Sequence, residues 1–218
     1  MNLVLFDLDN TLLSGDTDFE WLAFLVEQGV LSSSDQEANA EMDHRYRSGD
    51  AGALEYVRFY LGFYAPHGMA ALLAWRDKFF RTRIERRISR AARALVESHR
   101  NDLVAIVTAT NRFLTEPIAA AFGVEHLIAT EPEMVAGRFT GEVAGTPCMR
   151  EGKIERLEAW LASRGSSLAD YAETWFYSDS INDLPLLERV THPVAVDADS
   201  KLERLARERG WTILHLPR

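Results

Sequence analysis

The hydrophobic residues of this chain follow two different periods, which divide it into parts. Residues 3–6 form a short, continuous apolar run, as expected of a strand buried on both faces. After Asp16 the apolar residues recur every three or four positions, which predicts helices as far as Gly29 and then at about 34–47, 50–62 and 68–84. No strand is predicted between residues 14 and 100. The first strand is therefore followed by an inserted group of helices.

After residue 100 short apolar runs alternate with helical segments, a pattern typical of parallel strands joined by right-handed crossovers. We predict strands at about 103–107, 126–129, 174–177, 193–196 and 212–214, and helices at about 112–121, 151–163, 183–189 and 199–209. A small hairpin is predicted around Gly137. The predicted fold is a doubly wound, mostly parallel α/β sheet (residues 1–14 and 89–218) with an inserted helical cap (residues 15–88).

The first predicted strand ends in two acids, Asp7 and Asp9. In an extended chain these carboxylates point the same way, and open α/β sheets bind ligands at the carboxyl ends of their strands. Paired carboxylates suit Mg²⁺, and an aspartate is a known nucleophile toward phosphoryl groups. The alternative is that both residues only cap the following turn.

Net charge and composition exclude several classes of partner. A net charge of −9 argues against nucleic acid or an anionic membrane, since both require a basic surface. No stretch approaches the roughly 20 apolar residues of a membrane span. Cys148 is the only cysteine, which leaves no intrachain disulfide or cysteine-rich metal site. The sequence shows no signal segment, so we expect a cytoplasmic protein, and it does not indicate the oligomeric state.

Two features of the inserted helices have structural interpretations. Thr17 and Glu20 fit a capping box at the start of the first helix. An arginine-rich run is interleaved with apolar residues at helical spacing, which predicts a solvated helix face; it contains Arg81, Arg83, Arg86, Arg87, Arg90 and Arg93.

Three later segments bring further polar residues to the same predicted sheet edge. Thr108 follows the strand at 103–107, where its hydroxyl could hold a phosphate oxygen or could cap the next helix. Lys153 opens a helix, where its charge adds to the positive helix end, although an exposed lysine is the simpler interpretation. Asp179 and Asp183 lie in a loop after the strand at 174–177, a spacing that suits one metal ligand and one supporting acid.

Together these segments resemble the four signatures of the haloacid dehalogenase-like superfamily of aspartate-nucleophile phosphatases. The run LFDLDNTL (residues 5–12) is similar to the first signature, Thr108 to the second, Lys153 to the third and SDSIND (residues 178–183) to the fourth. Ser178 and Ser180 replace two glycines that are frequent in the fourth signature. The position of the helical insertion and the segment before Lys153 resemble the phosphoserine-phosphatase branch, which has a C1 helical cap.

The resemblance implies hydrolysis of a small phosphomonoester through an aspartyl-phosphate on Asp7, with Asp9 as general acid and base. Mg²⁺ would be held by Asp7, the main-chain carbonyl of Asp9, and Asp179, with Asp183 as support. Thr108 and Lys153 would neutralise the phosphoryl group. A phosphotransferase or mutase using the same intermediate is an alternative, and so is a non-catalytic binding protein, although all the required acids are present. A dehalogenase would not need Asp9 and Asp179.

The substrate is less determined. Asp16 stands where phosphoserine phosphatases carry a glutamate that contacts an amino group, and their arginine for the carboxylate has no convincing copy, although Arg45, Arg47 and Arg58 are available. We therefore expect an amine-bearing phosphate, with histidinol phosphate and phosphoserine as the leading substrates. Further substrate contacts are assigned to Thr108, Ala109, Lys153 and Asn182. An aromatic wall for a cation, or equally the core of the cap, would come from Trp21, Tyr56, Phe59, Tyr60 and Phe63.

Overall fold

A six-stranded parallel sheet forms the centre of the fold in this computed structural model, which describes residues 1–217. The order of its strands is β3-β2-β1-β6-β7-β8, and β4 and β5 form a separate antiparallel hairpin. The strands are β1 (Leu3–Phe6), β2 (Leu103–Asn111), β3 (His126–Thr130), β4 (Pro132–Val135), β5 (Arg138–Val143), β6 (Thr174–Ser178), β7 (His192–Val196) and β8 (Thr212–Leu214). All the predicted strands are present, and the doubly wound α/β fold is confirmed.

Strand β1 lies in the middle of the sheet, where it pairs with β2 on one side and β6 on the other. Its four residues are fully buried, as the unbroken apolar run predicted. Val4 and Phe6 pack into the hydrophobic cluster on one face, whereas Leu3 and Leu5 pack into the cluster on the other. The period of two therefore divides the core into two layers, one on each face of the sheet. Asp7 follows directly at the carboxyl end of β1, where its main-chain N–H still donates to Tyr177 of β6.

Nine α-helices surround the sheet or lie beside it in the described chain. Four of them lie in the predicted cap, residues 15–88: α1 (Thr17–Glu27), α2 (Ser33–Ser48), α3 (Ala53–Gly62) and α4 (Met69–Phe79). The others are α5 (Arg90–Ser98), α6 (Arg112–Phe122), α7 (Glu151–Ser163), α8 (Leu184–Leu187) and α9 (Ser200–Arg209). None of the helices in residues 1–217 combines the length and the apolar character that crossing a membrane requires.

The helices α1 to α4 pack around a group of buried side chains, here called the cap core, which is continuous with the hydrophobic cluster on one face of the sheet. Trp21, Tyr60 and Phe79, on three different helices, are almost completely buried. The backbones of Leu13 and Ile88 form an antiparallel bridge where this segment leaves and rejoins the sheet. The division between cap and core at residues 14 and 88 remains a prediction, and the bridge lies at that division.

Two details of the predicted cap are wrong. Asp16, not Thr17, caps α1 by accepting the main-chain N–H of Phe19 at 2.9 Å, and Glu20 pairs with Arg87. Asp and Thr are both good capping residues. The hydroxyl of Thr17 is hydrogen-bonded to Asp9 instead, which leaves Asp16 to cap the helix. The arginine run is not one helix face, because a π-helical turn (Phe80–Ile84) and a 3₁₀ turn (Glu85–Arg87) separate α4 from α5.

The β4–β5 hairpin packs against α3. Gly141 approaches this helix so closely that a Cβ atom at this position would lie 3.4 Å from the Cα atom of Gly62. An ion pair of 2.6 Å between Arg58 and Glu142 also joins the hairpin to the helix. The hairpin thus supports the cap from the side of the sheet.

Candidate active site

A cavity of about 490 Å³ lies between the carboxyl ends of β1, β2 and β6 and the helices α2 and α3. Parallel strands end at one edge of the sheet, which explains why segments distant in sequence meet there. All nine predicted site residues line this cavity: Asp7, Asp9, Asp16, Thr108, Ala109, Lys153, Asp179, Asn182 and Asp183.

A buried ion triad forms the floor of the cavity. The Nζ atom of Lys153 lies 2.7 Å from a carboxylate oxygen of Asp7 and 2.7 Å from one of Asp183. Burial raises the pKa of Asp7 to about 6, although the charge of Lys153 acts in the opposite direction. Burial alone would lower the pKa of Lys153, but Asp183 and Asp7 outweigh it and raise the pKa. Lys153 is therefore a buried ammonium ion, and its interpretation as an exposed lysine is wrong.

The start of α7 explains how Lys153 reaches the floor. Gly152 lies so close to the preceding loop that a Cβ atom there would be 2.1 Å from the carbonyl oxygen of Pro147. Only glycine fits such an approach, which brings the first turn of α7 against the loop. The Lys153 side chain then extends under the cavity beside Asp7.

The second oxygen of Asp7 faces Asp179 across one hydroxyl group. The Oγ1 atom of Thr11 lies 3.3 Å from Oδ2 of Asp7 and 3.0 Å from Oδ1 of Asp179. The Oγ1 atom of Thr11 also accepts the main-chain N–H of Asp179 at 3.0 Å. Burial, and then the charges of Asp7 and Asp183, raise the pKa of Asp179 well above its ordinary value. Two carboxylates from different strands are thus held close together in a buried site.

These oxygen donors fit Mg²⁺. Asp7 and Asp179 present hard carboxylate oxygens, and their mutual repulsion would be relieved by a divalent cation between them. Within residues 1–217 no three carboxylate, imidazole or thiol side chains converge as a complete ligand group. A main-chain oxygen and water would therefore complete the coordination, as Mg²⁺ commonly requires.

Asp9 is held away from this pair by two threonines. Its Oδ2 atom accepts the hydroxyl of Thr110 at 2.6 Å, and its Oδ1 atom accepts both the main-chain N–H and the hydroxyl of Thr17. Burial, and then the charge of Asp16, raise the pKa of Asp9 to about 7. A carboxyl group of this kind can exchange protons near neutral pH.

The last residues of β2, which extends to Asn111 and not only to the predicted residue 107, place Thr108 and Ala109 on the cavity wall. The hydroxyl oxygen of Thr108 accepts the main-chain N–H of Thr110 at 3.3 Å. The next helix, α6, is capped by Asn111 instead, whose side chain accepts the main-chain N–H of Leu114. The interpretation of Thr108 as a helix cap is therefore wrong.

The two serines that replace glycines in the fourth signature form hydrogen bonds within the loop. The hydroxyl of Ser178 donates to Asp183 at 2.7 Å and accepts the main-chain N–H of Ser180 at 3.2 Å. Ser180 in turn accepts the main-chain N–H of Asn182 at 3.2 Å. The serines orient the loop, and Asp183 is fixed between Ser178 and Lys153.

Acidic and aromatic residues line the opposite end of the cavity, beneath α2 and α3. Asp16, Asp18 and Asp43 lie there with Tyr46 and Tyr56. Burial raises the pKa of Asp16, and the charge of Asp43 adds to this effect. Burial, and then the charge of Asp16, raise the pKa of Asp18 well above its ordinary value. This end of the cavity has a surplus of negative charge.

The predicted aromatic wall is largely wrong. Of its five members only Tyr56 lines the cavity, because Trp21 and Tyr60 are buried in the cap core. Phe59 and Phe63 are partly buried and pack against that core. The aromatic side chains are thus mainly cap core, which the sequence had left as an equal alternative.

The three cap arginines are all paired with acids. Arg45 binds Glu55, Arg58 binds Glu142, and Arg47 forms two hydrogen bonds of 2.8 and 2.9 Å with Asp43. Arg47 alone among them lines the cavity. The structure places no unpaired cap arginine toward the site within the described residues.

Sequence reasoning missed several residues of the site. Thr11 forms a hydrogen bond with Asp179, and Thr17 and Thr110 form hydrogen bonds with Asp9. Asp43 and Tyr46 line the cap end of the cavity. Thr11 lies within the run LFDLDNTL, which is similar to the first signature. Thr110 follows Thr108 at the same strand end, so the sequence placed it at this edge without a role. Thr17, Asp43 and Tyr46 carry no local signal, because only the folded chain brings them to the cavity.

Comparison with known proteins agrees with this geometry. The model of the haloacid dehalogenase-like hydrolase family matches residues 4–188. A histidinol-phosphatase of Neisseria meningitidis serogroup C is 40% identical over 218 residues, which cover 98% of each chain. A phosphoserine phosphatase of Mycobacterium tuberculosis is 31% identical over 216 residues, which cover 95% of this chain and 68% of that protein.

A solved structure is similar over nearly the whole chain. It is that of a protein of unknown function from Bordetella pertussis Tohama I, with a TM-score of 0.95, 45% identity, and coverage of 98% of this chain and 97% of that one. Both the family match and the near full-length relatives include the four sequence segments that form the cavity floor. The chain therefore belongs to the haloacid dehalogenase-like hydrolases, and it is a phosphoric monoester hydrolase.

Proposed function

We propose that this phosphatase hydrolyses a small, amine-bearing phosphomonoester through an aspartyl-phosphate on Asp7, with Mg²⁺ as its cofactor. The observation that carries the proposal is the position of the Asp7 carboxylate. One of its oxygens is paired with Lys153, and the other faces Asp179 across Thr11, on the floor of the cavity.

In the first step, a carboxylate oxygen of Asp7 attacks the phosphorus atom, and the bond from phosphorus to the ester oxygen breaks. Asp9, held by Thr17 and Thr110, gives a proton to the departing oxygen. Lys153 and the hydroxyl of Thr108 stabilise the charge on the phosphoryl oxygens.

In the second step, Asp9 takes a proton from a water molecule, whose oxygen attacks the phosphorus atom. The bond from phosphorus to Asp7 breaks, so that inorganic phosphate leaves and the carboxylate is restored. Since Asp9 ends each cycle with its original proton, one residue serves as acid and then as base.

Asp7 and Asp179, with the main-chain carbonyl of Asp9, would hold Mg²⁺, and Asp183 would support the site through Lys153 and Ser178. When bound, the ion would neutralise charge on the phosphoryl group and orient it for attack. Chelation with EDTA should abolish activity, and added Mg²⁺ should restore it. Full activity after exhaustive chelation would contradict the metal assignment.

For the substrate we propose histidinol phosphate, with phosphoserine as the second candidate. The carboxylates of Asp16, Asp18 and Asp43 at the cap end suit an ammonium or imidazolium group, and they would repel the carboxylate of phosphoserine. The relative named as a histidinol-phosphatase is also more similar, at 40% identity, than the phosphoserine phosphatase, at 31%.

The test is to measure kcat/KM for histidinol phosphate, phosphoserine and glucose 6-phosphate with Mg²⁺ present. We expect the order of decreasing kcat/KM to be the order in which these three are named. A preference for phosphoserine or for the amine-free sugar phosphate would refute the substrate proposal and leave the phosphatase mechanism standing.

Release of free phosphate distinguishes hydrolysis from transfer. A phosphotransferase or mutase would return the phosphoryl group to an acceptor, whereas the proposed enzyme releases one inorganic phosphate for each ester consumed.

We also propose that the enzyme works in the cytoplasm on this small-molecule substrate. The buried, single thiol of Cys148, which has no disulfide partner, is compatible with a reducing compartment.

A further inference from the structure

Arg150 has a backbone conformation that is unfavourable for every residue except glycine. Its φ and ψ angles are 50° and −123°, just before the first residue of α7. The main-chain N–H of Gly152 donates to the carbonyl of Met149 at 2.8 Å, so that Arg150 is the first central residue of this turn. These angles belong to a type II′ turn, in which glycine normally occupies that position.

The chain thus places a long cationic side chain where glycine would suit the backbone better. Gly152 in the same turn is explained by its contact with Pro147, but no such contact requires an arginine at position 150. Residues in sparsely populated conformations concentrate at ligand sites and switch regions, where their side chains serve a purpose.

The side chain of Arg150 extends from the core to the cap. Its guanidinium carbon lies 5.8 Å from the centre of the Tyr46 ring on α2, and both residues line the cavity. The Tyr46 ring lies 4.3 Å from the ring of Tyr56 on α3. Burial raises the pKa of Tyr46, and a hydrogen bond from Arg150 and then its charge oppose this rise. Arg150 therefore connects the turn before Lys153 with two cap helices.

We infer that Arg150 is a positioning residue that holds the cap closed over the substrate cavity through the ring of Tyr46. A guanidinium within about 6 Å of an aromatic centroid is attracted to the ring, and more strongly where water is excluded. If the closed cap is the binding-competent state, the apparent affinity for substrate falls in proportion to the closed fraction. The inference rests on this cavity being the substrate site, but not on which phosphomonoester it accepts.

The test compares the variant Arg150→Gly with the wild type. Glycine relieves the backbone, so the melting temperature should be at or above that of the wild type. Amide hydrogen exchange at residues 43–48 of α2 should become about tenfold faster. KM for p-nitrophenyl phosphate should rise about tenfold while kcat changes less than about twofold. A purely structural role of the arginine would lower the melting temperature instead.

A matched control is available at Ala136, which also has a φ of 50° but lies at the exposed tip of the β4–β5 hairpin. Ala136→Gly relieves the same kind of backbone strain, and it should leave hydrogen exchange in α2 and the value of KM unchanged. Tyr46→Leu should reproduce the effects of Arg150→Gly, while Tyr46→Phe, which keeps the ring, should keep most of the protection. The double variant Arg150→Gly/Tyr46→Leu should show no larger change in KM or in hydrogen exchange than either single variant.

Unchanged exchange at residues 43–48 together with an unchanged KM in Arg150→Gly would overturn the inference. A loss confined to kcat would also overturn it, because that result would place Arg150 in the chemical step. Failure of the wild type to hydrolyse p-nitrophenyl phosphate would contradict the proposed function only. The hydrogen-exchange comparison, which needs no turnover, would still decide the role of Arg150.

Discussion

The two ends of the cavity differ in how their charges are balanced. At the core end, the carboxylates of Asp7 and Asp183 share the buried ammonium of Lys153. At the cap end, Asp16 and Asp18 have no buried lysine or arginine beside them among the described residues, and their pKa values are raised by burial and by neighbouring acids. The buried acids of the core end therefore share a buried cation and those of the cap end do not, and the proposed function assigns the phosphoryl group to the first and the amine of the substrate to the second.

The largest effect should come from neutralising Asp7, the proposed nucleophile, at the core end. Asp7→Asn should fold normally, because Lys153 retains Asp183, and its rate should fall by at least about 10³-fold. Asp9→Asn should lose about 10²- to 10⁴-fold through the missing proton transfer. Initial rates of phosphate release measure both, and circular dichroism checks the fold. Activity of Asp7→Asn near that of the wild type would disprove the mechanism.

The next effect concerns stability, and it compares the buried lysine of the core end with an exposed lysine, Lys201, at the rim of the same cavity. Lys153→Met leaves two buried carboxylates without their cation, which should lower the free energy of unfolding by about 3–5 kcal/mol. Lys201→Met, at the exposed start of α9, should change it by less than about 0.5 kcal/mol. Urea denaturation measures both variants. Equal stability of the two would show that the triad does not need its cation.

The smallest effect is expected at the cap end. Asp16→Asn removes a charge but keeps a good helix cap for α1, so only substrate preference should change. The kcat/KM ratio of histidinol phosphate to phosphoserine should fall about tenfold, equivalent to about 1.4 kcal/mol. Asp35→Asn, at the exposed start of α2, is the matched control and should leave the ratio unchanged. An unaltered ratio in Asp16→Asn would show that the acid at this position does not determine substrate preference.

The core end was predictable because its residues are attached to strong local signals. Asp7, Thr108 and Asp179 each follow an apolar run, and Lys153 opens a helix after a glycine. Since parallel strands end at one edge, the positions of the strands were enough to bring these residues together.

The cap end could not be predicted in the same way, because helices can pack at many angles and any face can point to the cavity. Tyr46 and Tyr60 both lie on cap helices, yet one lines the cavity and the other is cap core. The cap of α1 was misplaced by one position because Asp16 and Thr17 are both capping residues, and only the contact of Thr17 with Asp9 settles the matter.

The central position of β1 also has a consequence for how the chain folds. Leu3 pairs with Leu103 on one side and with Thr174 on the other, so the first strand synthesised lacks both neighbours until most of the chain exists. Contacts this distant in sequence are slow to form, and an apolar strand without partners is prone to aggregate. During synthesis the nascent chain must therefore keep its first strand protected until β6 emerges, and the triad of Asp7, Lys153 and Asp183 can form only after that.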